Sequence, residues 1–343
     1  MSTAVSNRCP SSYEAGLEVS LREFLGAQLD RQVDLTGLRR LAGGTAHETW
    51  AFDLRDGERQ ELHRLVLRRS IERGMLDGDL RAEFDLLATL DRLAVPVPRP
   101  RWCVTEDSPL TQPFMIIDRV DGTDIRKHLA THPETDRHRL GVELVRLQAR
   151  LHRLDWQDCL PPLARSARGT LHEIERWARE IDASSVDPGP LLRAATELLR
   201  DRPPKTSRRC LVHGDFKTNN LLLGADGNVT VLDWELAHLG DPLEDIAWTM
   251  LWTTRWDLVG GLLSVQEYLA TYQEETGTAI DPEALLPWRI FALVKLAAIF
   301  LTGVTRGGPL ASPTLRLMGR GLHHIEAQLA ELLQATLGEA QPS

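Results

Sequence analysis

Residues 211–220 read LVHGDFKTNN. Two apolar residues run into a short polar segment that carries His213, Asp215, Lys217 and Asn220, and this order matches the H-x-D-x-K-x-x-N form of a phosphoryl-transfer loop. The chemistry accounts for the spacing. A carboxylate at 215 can accept the proton of an attacking hydroxyl and orient it in line with a γ-phosphate. A lysine at 217 can sit beside the transferred group and offset its charge. The amide oxygen of Asn220 can serve a Mg²⁺ ion. Read alone, the same residues also suit an Asp/Asn-rich turn capping a helix.

A second carboxylate narrows the choice. GNVTVLDWELAHLGDP (227–242) reads as a strand ending at Asp233, beyond a hairpin from the first loop. Mg²⁺ takes one or two carboxylates together with phosphate oxygens and water, so Asn220 and Asp233 form a sensible pair of ligands. His213 is expected to hydrogen-bond locally, because Asp215 already fills the role of base. In GDPLEDIAW, Asp241 is expected in a turn before Pro242, and Asp245 to brace the loop from a helix start.

These residues need elements to position them. Residues 13–30 have helical spacing at Leu17, Leu21, Phe24, Leu25 and Leu29. LRRLAGGTAHETWAFDL (38–54) then reads as strand, glycine turn, strand, and HRLVLRR (63–69) as a third strand. The turn holds Gly43, Gly44 and Thr45, whose backbone N–H groups could lie over phosphates. Arg68 falls on the third strand where a cation could grip the α- and β-phosphates, and Glu83 on the following helix (80–93) could hold that cation. Further strands are expected near 101–105 and at PFMIIDRV (113–120). From DGTD (121–124) onward the pattern is largely helical: 124–131, 138–154, 170–182, 189–200, and a helical remainder to about 335. The expected fold class is therefore α+β, with a small antiparallel-sheet lobe of five strands (1–119) joined to a larger, mostly helical lobe (120–343).

On LAGGTAHETW, LVLRR, FMIIDRVDG, LVHGDFKTNN and VLDWELAHLGDPLEDIAW, the sequence resembles the aminoglycoside phosphotransferase/choline kinase superfamily. More narrowly, it is similar to the kinase-like domain associated with acyl-CoA dehydrogenases. The resemblance spans about 38–250. It implies a protein-kinase-like fold, ATP and Mg²⁺ as cofactors, Asp215 as base, Asn220 and Asp233 as metal ligands, and a hinge at Ile117, Asp118 and Val120 that meets adenine through its backbone. Two features depart from protein kinases: DWE stands in place of DFG, and no APE segment follows. Arg68 also stands where a lysine is usual. Arginine is always charged and binds phosphate bidentately, but it is bulkier.

Composition sets outer bounds. The chain has 343 residues and a net charge of −9, which disfavours a general nucleic-acid binder. Cys9, Cys103, Cys159 and Cys210 are widely spaced, without a zinc or disulfide pattern, so a reducing cytoplasm is the expected setting. The N-terminal residues lack the layout of a secretory signal. WRIFALVKLAAIFLTGV (288–304) contains Lys295 and reads as a buried helix rather than a membrane span. Residues 241–286 carry nine acids against Arg255, whereas 287–320 carry Arg289, Lys295, Arg306, Arg316 and Arg320 without an acid. Facing a site, those cations would suit the phosphates of a coenzyme A thioester, and the apolar helix its acyl chain. Trp248, Trp252 and Trp256 are expected on one helical face, as core or as a flat substrate wall. The expected activity is transfer from ATP to the hydroxyl of a small molecule, either a hydroxyacyl-CoA or hydroxy acid, or an aminoglycoside or amino alcohol. A nucleotide-binding pseudokinase is the alternative from another class.

Overall fold

A computed structural model describes residues 12–41, 47–56, 61–71, 79–159, 169–307 and 313–338. These fall into two compact units. The first takes the described residues up to 71 together with 79–84 and 98–119, and the second takes 85–97 and everything from 120 onward.

The first unit is built on an antiparallel sheet: β1 (Val33–Arg40), β2 (His47–Asp56), β3 (Leu62–Ser70), β4 (Pro100–Val104) and β5 (Phe114–Asp118), in the order β1-β2-β3-β5-β4. Period-two alternation sends Trp50, Phe52 and Leu54 of β2 to one face, with Leu65 and Leu67 of β3 and Phe114 and Ile116 of β5. Helix α1 (Ser12–Leu29) covers that face with Leu17, Leu21 and Leu25, spaced one helical turn apart and each at most 5% exposed. The same alternation separates the two arginines of β3. Arg69 donates to Glu48 of β2 (2.8 Å) and to the Leu110 carbonyl (3.1 Å), whereas Arg68 leaves the other face and pairs with Glu83. Glu83 lies in the first turn of α2 (Leu80–Arg92), a helix that begins in this unit and ends in the second.

The second unit is mostly helical: α3 (Ile125–Thr131), α4 (Arg137–His152), α5 (Trp156–Cys159), α6 (Thr170–Asp182), α7 (Gly189–Asp201), α8 (Pro242–Met250), α9 (Val265–Thr276), α10 (Pro282–Gly307) and α11 (Pro313–Gly338). Short antiparallel strands carry its loops. β6 (Thr123–Asp124), β8 (Leu221–Leu223) and β9 (Val229–Val231) form one sheet, while β7 (Cys210–Val212) pairs with β10 (His238–Gly240).

Helix α10 starts earlier than its apolar run suggests. Asp281 accepts from the Glu283 amide (3.0 Å) and Pro282 takes the first helical position, so Pro287 lies within the helix rather than before it. By length and hydropathy its span Pro282–Thr305 could cross a membrane, but it is packed against α6, α7, α8 and α11. Its apolar character is that of a core helix, and the surface expected to wall an acyl chain is covered by those four neighbours.

The tryptophan stripe is corrected too. Helix α8 ends at Met250, so only Trp248 of the three is helical. Past the helix, Asp257 accepts from both the amide (2.9 Å) and the hydroxyl (2.5 Å) of Thr254, a local turn that competes with helix continuation.

Candidate active site

Strand β7 delivers the chain into the polar loop, and Gly214 makes the bend with φ +81°. A Cβ there would lie 2.7 Å from the Leu236 carbonyl oxygen, so glycine is required by both conformation and space. The bend turns out the Asp215 carboxylate, which is held on both oxygens. Oδ2 accepts from Asn220 Nδ2 (2.7 Å) and pairs with Lys217 Nζ (2.8 Å); Oδ1 accepts from Trp248 Nε1 (2.9 Å). Lys217 Nζ also lies 5.3 Å from the Trp252 ring centre. The expected trio of Asp215, Lys217 and Asn220 is thus assembled at one carboxylate.

Asn220 closes a tight helical turn, Thr218–Asn220, and its amide nitrogen bonds both the carboxylate and the carbonyl (3.1 Å) of Asp215. Its carbonyl oxygen is the end turned to other use. The Leu232 amide donates to the Asn220 backbone carbonyl (2.8 Å), which brings Asp233 alongside. Asp233 lies two residues beyond the end of β9 rather than on it, with φ +65°, a left-handed conformation uncommon outside glycine. One amide oxygen and one carboxylate make a hard, all-oxygen donor set of the kind Mg²⁺ accepts.

A layer of buried charge fixes the loop from behind. Both oxygens of Asp245, on α8, accept loop amides: His213 N (2.7 Å) and Gly214 N (2.8 Å). Burial would raise the Asp245 pKa, but the hydrogen bond and charge of His152, with the loop donors, hold it down at about 2. His152 uses Nε2 for Asp245 (3.1 Å) and Nδ1 for the Tyr272 hydroxyl (2.8 Å). His213 accepts the Asp215 amide at Nδ1 (3.1 Å) and meets the Leu232 carbonyl with Nε2 (2.9 Å). Both ring nitrogens of His213 are therefore occupied locally, and burial lowers its pKa. Asp241 caps α8 at the Leu243 amide (2.9 Å) and also accepts from Ser207 (2.7 Å), which is a structural role.

Lys295 completes the layer. It is 1% exposed, donates to the Gly214 carbonyl (2.8 Å), and lies 3.4 Å from Glu244, which pairs with His238 (3.0 Å). Burial raises the Glu244 pKa, but the charges of His238 and Lys295 outweigh it and leave the group below its ordinary value. Lys295 is thus a neutralised internal brace rather than one of a row of free cations. Arg289 is exposed, and the side chains of Arg306, Arg316 and Arg320 lie outside the described residues.

In the first unit, Arg68 and Glu83 form the expected ion pair, with His47 Nδ1 3.4 Å from the guanidinium. Gly43, Gly44 and Thr45 lie outside the described residues. Ile117 and Asp118 sit at the end of β5. The Asp118 carboxylate is gripped by Arg101 (2.6 and 2.8 Å), and its amide donates to the Arg99 carbonyl (2.8 Å). The amide of Arg119 is bonded to Arg64 (2.8 Å), and Val120 begins the second unit.

The family model of the phosphotransferase enzyme family matches residues 37–288. The chain belongs to this family. It is a kinase-type phosphotransferase. Among curated relatives, the rat acyl-CoA dehydrogenase family member 11 is 28% identical over 246 residues, covering 66% of this chain and 30% of that protein. The chain thus spans about a third of that relative's length, and the resemblance to the acyl-CoA dehydrogenase-associated domain is borne out. Among solved structures, a candidate aminoglycoside phosphotransferase from Ralstonia eutropha has a TM-score of 0.70 at 20% identity, covering 93% of this chain and 98% of that one. An aminoglycoside phosphotransferase in complex with GDP and kanamycin has a TM-score of 0.61 at 14% identity, covering 91% and 99%. The α+β, protein-kinase-like fold expected from the sequence is the fold of these neighbours.

Sequence reasoning did not find the Trp248 bond to Asp215, the His152–Tyr272 support of Asp245, or the inward role of Lys295. A signal for Lys295 was present: one lysine inside a long apolar helix has to find a buried partner.

Proposed function

We propose that this phosphotransferase moves the γ-phosphoryl group of ATP, with Mg²⁺, to the hydroxyl of a small molecule. The observation that carries the proposal is the Asp215 carboxylate, fixed from both sides by Asn220, Lys217 and Trp248. The acceptor O–H gives its proton to Asp215 as its oxygen bonds the γ-phosphorus. The bond from that phosphorus to the β–γ bridging oxygen breaks, and ADP leaves with the electron pair. Lys217 offsets charge on the group in transit. Asn220 Oδ1 and the Asp233 carboxylate would hold Mg²⁺, which would supply positive charge to offset that of the phosphates. Arg68, oriented by Glu83, would grip the α- and β-phosphates. Because the Asp118 amide is already spent inside its sheet, Val120 is the better backbone donor to adenine, with Ile117 and Asp118 serving to set the strand end.

For the acceptor, a hydroxyacyl-CoA or related hydroxy acid is favoured by the kinship with acyl-CoA dehydrogenase family members. An aminoglycoside or amino alcohol is the second reading, favoured by the neighbour whose complex holds kanamycin. The test is label transfer from γ-³²P-ATP to a panel of hydroxyacyl-CoAs, aminoglycosides and amino alcohols, with GTP and an EDTA control in parallel. A Mg²⁺-dependent phosphoester on a hydroxyacyl-CoA is expected. Efficient labelling of an aminoglycoside with none of any thioester would overturn that choice of acceptor.

A further inference from the structure

An ionised carboxylate offers about four lone-pair sites, two on each oxygen. In Asp215, Oδ2 has both engaged, by Asn220 Nδ2 at 2.7 Å and Lys217 Nζ at 2.8 Å. Among the described residues, Oδ1 has one engaged, by the indole N–H of Trp248 at 2.9 Å. The site left for an acceptor hydroxyl is therefore the second lone pair of Oδ1, and its direction is set by where the indole holds the first.

The indole is itself held. Trp248 is 2% exposed and stands on α8, the helix whose Asp245 binds the loop amides just before Asp215. Lys295 Nζ lies 4.8 Å from the Trp248 ring centre while donating to the Gly214 carbonyl, the peptide next to Asp215. Ring and loop backbone are thus tied to one buried cation, so the indole and the carboxylate cannot drift independently. A tryptophan serving only as core filling gains nothing from this geometry. A buried N–H aimed at a carboxylate, by contrast, gives a charge-assisted bond stronger than a neutral one.

We propose that Trp248 is a positioning residue for phosphoryl transfer: its indole N–H reserves Asp215 Oδ1 as the proton-accepting atom and aims its open lone pair at the acceptor hydroxyl. The proposal rests on the reading of Asp215 as the base. In the step it serves, the hydroxyl proton goes to Oδ1, the hydroxyl oxygen bonds the γ-phosphorus, and ADP departs with the electrons of the broken P–O bond.

The test uses the full chain with ¹⁵N-labelled tryptophan at one neutral pH. Trp248→Phe removes one of the nine indole signals and so identifies it; should that variant not fold, sequential assignment does the same. In Asp215→Ala the Trp248 signal is expected to move upfield and its N–H to exchange faster, a change that core filling alone would not produce. Turnover is read as ADP release from Mg·ATP with water as the acceptor. Trp248→Phe is expected to lower kcat by about 10- to 100-fold, the worth of one hydrogen bond to a charged group, with KM for Mg·ATP within about twofold. A Trp248 signal indifferent to Asp215→Ala overturns the proposal, as does a folded Trp248→Phe with wild-type kcat. If instead Asp215→Ala keeps wild-type turnover, the reading of Asp215 as base is what fails, and the positioning role falls with it.

Discussion

The His238–Glu244–Lys295 cluster should make stability depend on pH in a range where most proteins are indifferent. Burial opposes charge on His238, but the charge and hydrogen bond of Glu244 outweigh it and raise its pKa from 6.5 to about 9; Lys295 opposes the rise and Glu173 adds to it. Because the folded pKa is the higher one, the contribution is complete below the unfolded pKa and is lost as pH rises through the folded one. A separation of about 2.5 units corresponds to about 3 kcal/mol below pH 6, about 2 kcal/mol at pH 7.5, and less than about 0.5 kcal/mol at pH 9. The His238 side chain is 17% exposed, so these values are ceilings. The assay is urea unfolding at pH 6, 7, 8 and 9 for the wild type and for His238→Gln, a neutral side chain that can still donate to Glu244. Tyrosine, cysteine and lysine titrations are common to both chains and cancel. The wild type should lose about 2–3 kcal/mol more than the variant between pH 6 and 9. Parallel stability curves would show that His238 is not charged in the folded protein, and would refute the account of the cluster.

Three further outcomes follow from the same loop. Asp245, held at about pKa 2 against 3.8 when unfolded, should contribute about 2 kcal/mol that is present above pH 4 and lost as pH falls toward 2; Asp245→Asn should remove that acid dependence in guanidinium titrations. Gly214→Ala should cost at least about 2 kcal/mol in denaturant unfolding, because an L side chain is strained at φ +81° and its Cβ meets the Leu236 carbonyl. Asp233→Ala should weaken Mg·ATP binding by calorimetry, and should abolish the rise in Tm that Mg·ATP gives the wild type by binding only the folded state.

The sequence made the local parts legible. Asp215, Lys217 and Asn220 lie within one short loop, so their spacing alone nearly fixes their meeting. The five-stranded sheet, with Arg68 and Glu83 on successive elements, was likewise readable from period-two and helical patterns. What escaped were contacts across long chain separations: Trp248 to Asp215 over 33 residues, Lys295 to Gly214 over 81, and His152 to Asp245 over 93. Periodicity assigns a buried tryptophan or lysine to a face, but not to a partner. The tryptophan stripe failed because α8 ends at Met250, short of Trp252, and the chain beyond it turns at Thr254–Asp257 instead of continuing the helix. Lys295 drops out of the expected row of cations because it points inward to Glu244 and the Gly214 carbonyl, a choice decided by packing around α10.

The account turns on Asp215 taking the proton of an acceptor hydroxyl as phosphate is transferred. The most direct measurement is ³¹P NMR of Mg·ATP with the acceptor found by label transfer, for the wild type and Asp215→Asn. The wild type is predicted to give a phosphomonoester resonance growing in step with ADP. Asp215→Asn should still bind Mg·ATP, yet form the ester at least about 10²-fold more slowly. An ester resonance growing at the wild-type rate in Asp215→Asn would contradict the account.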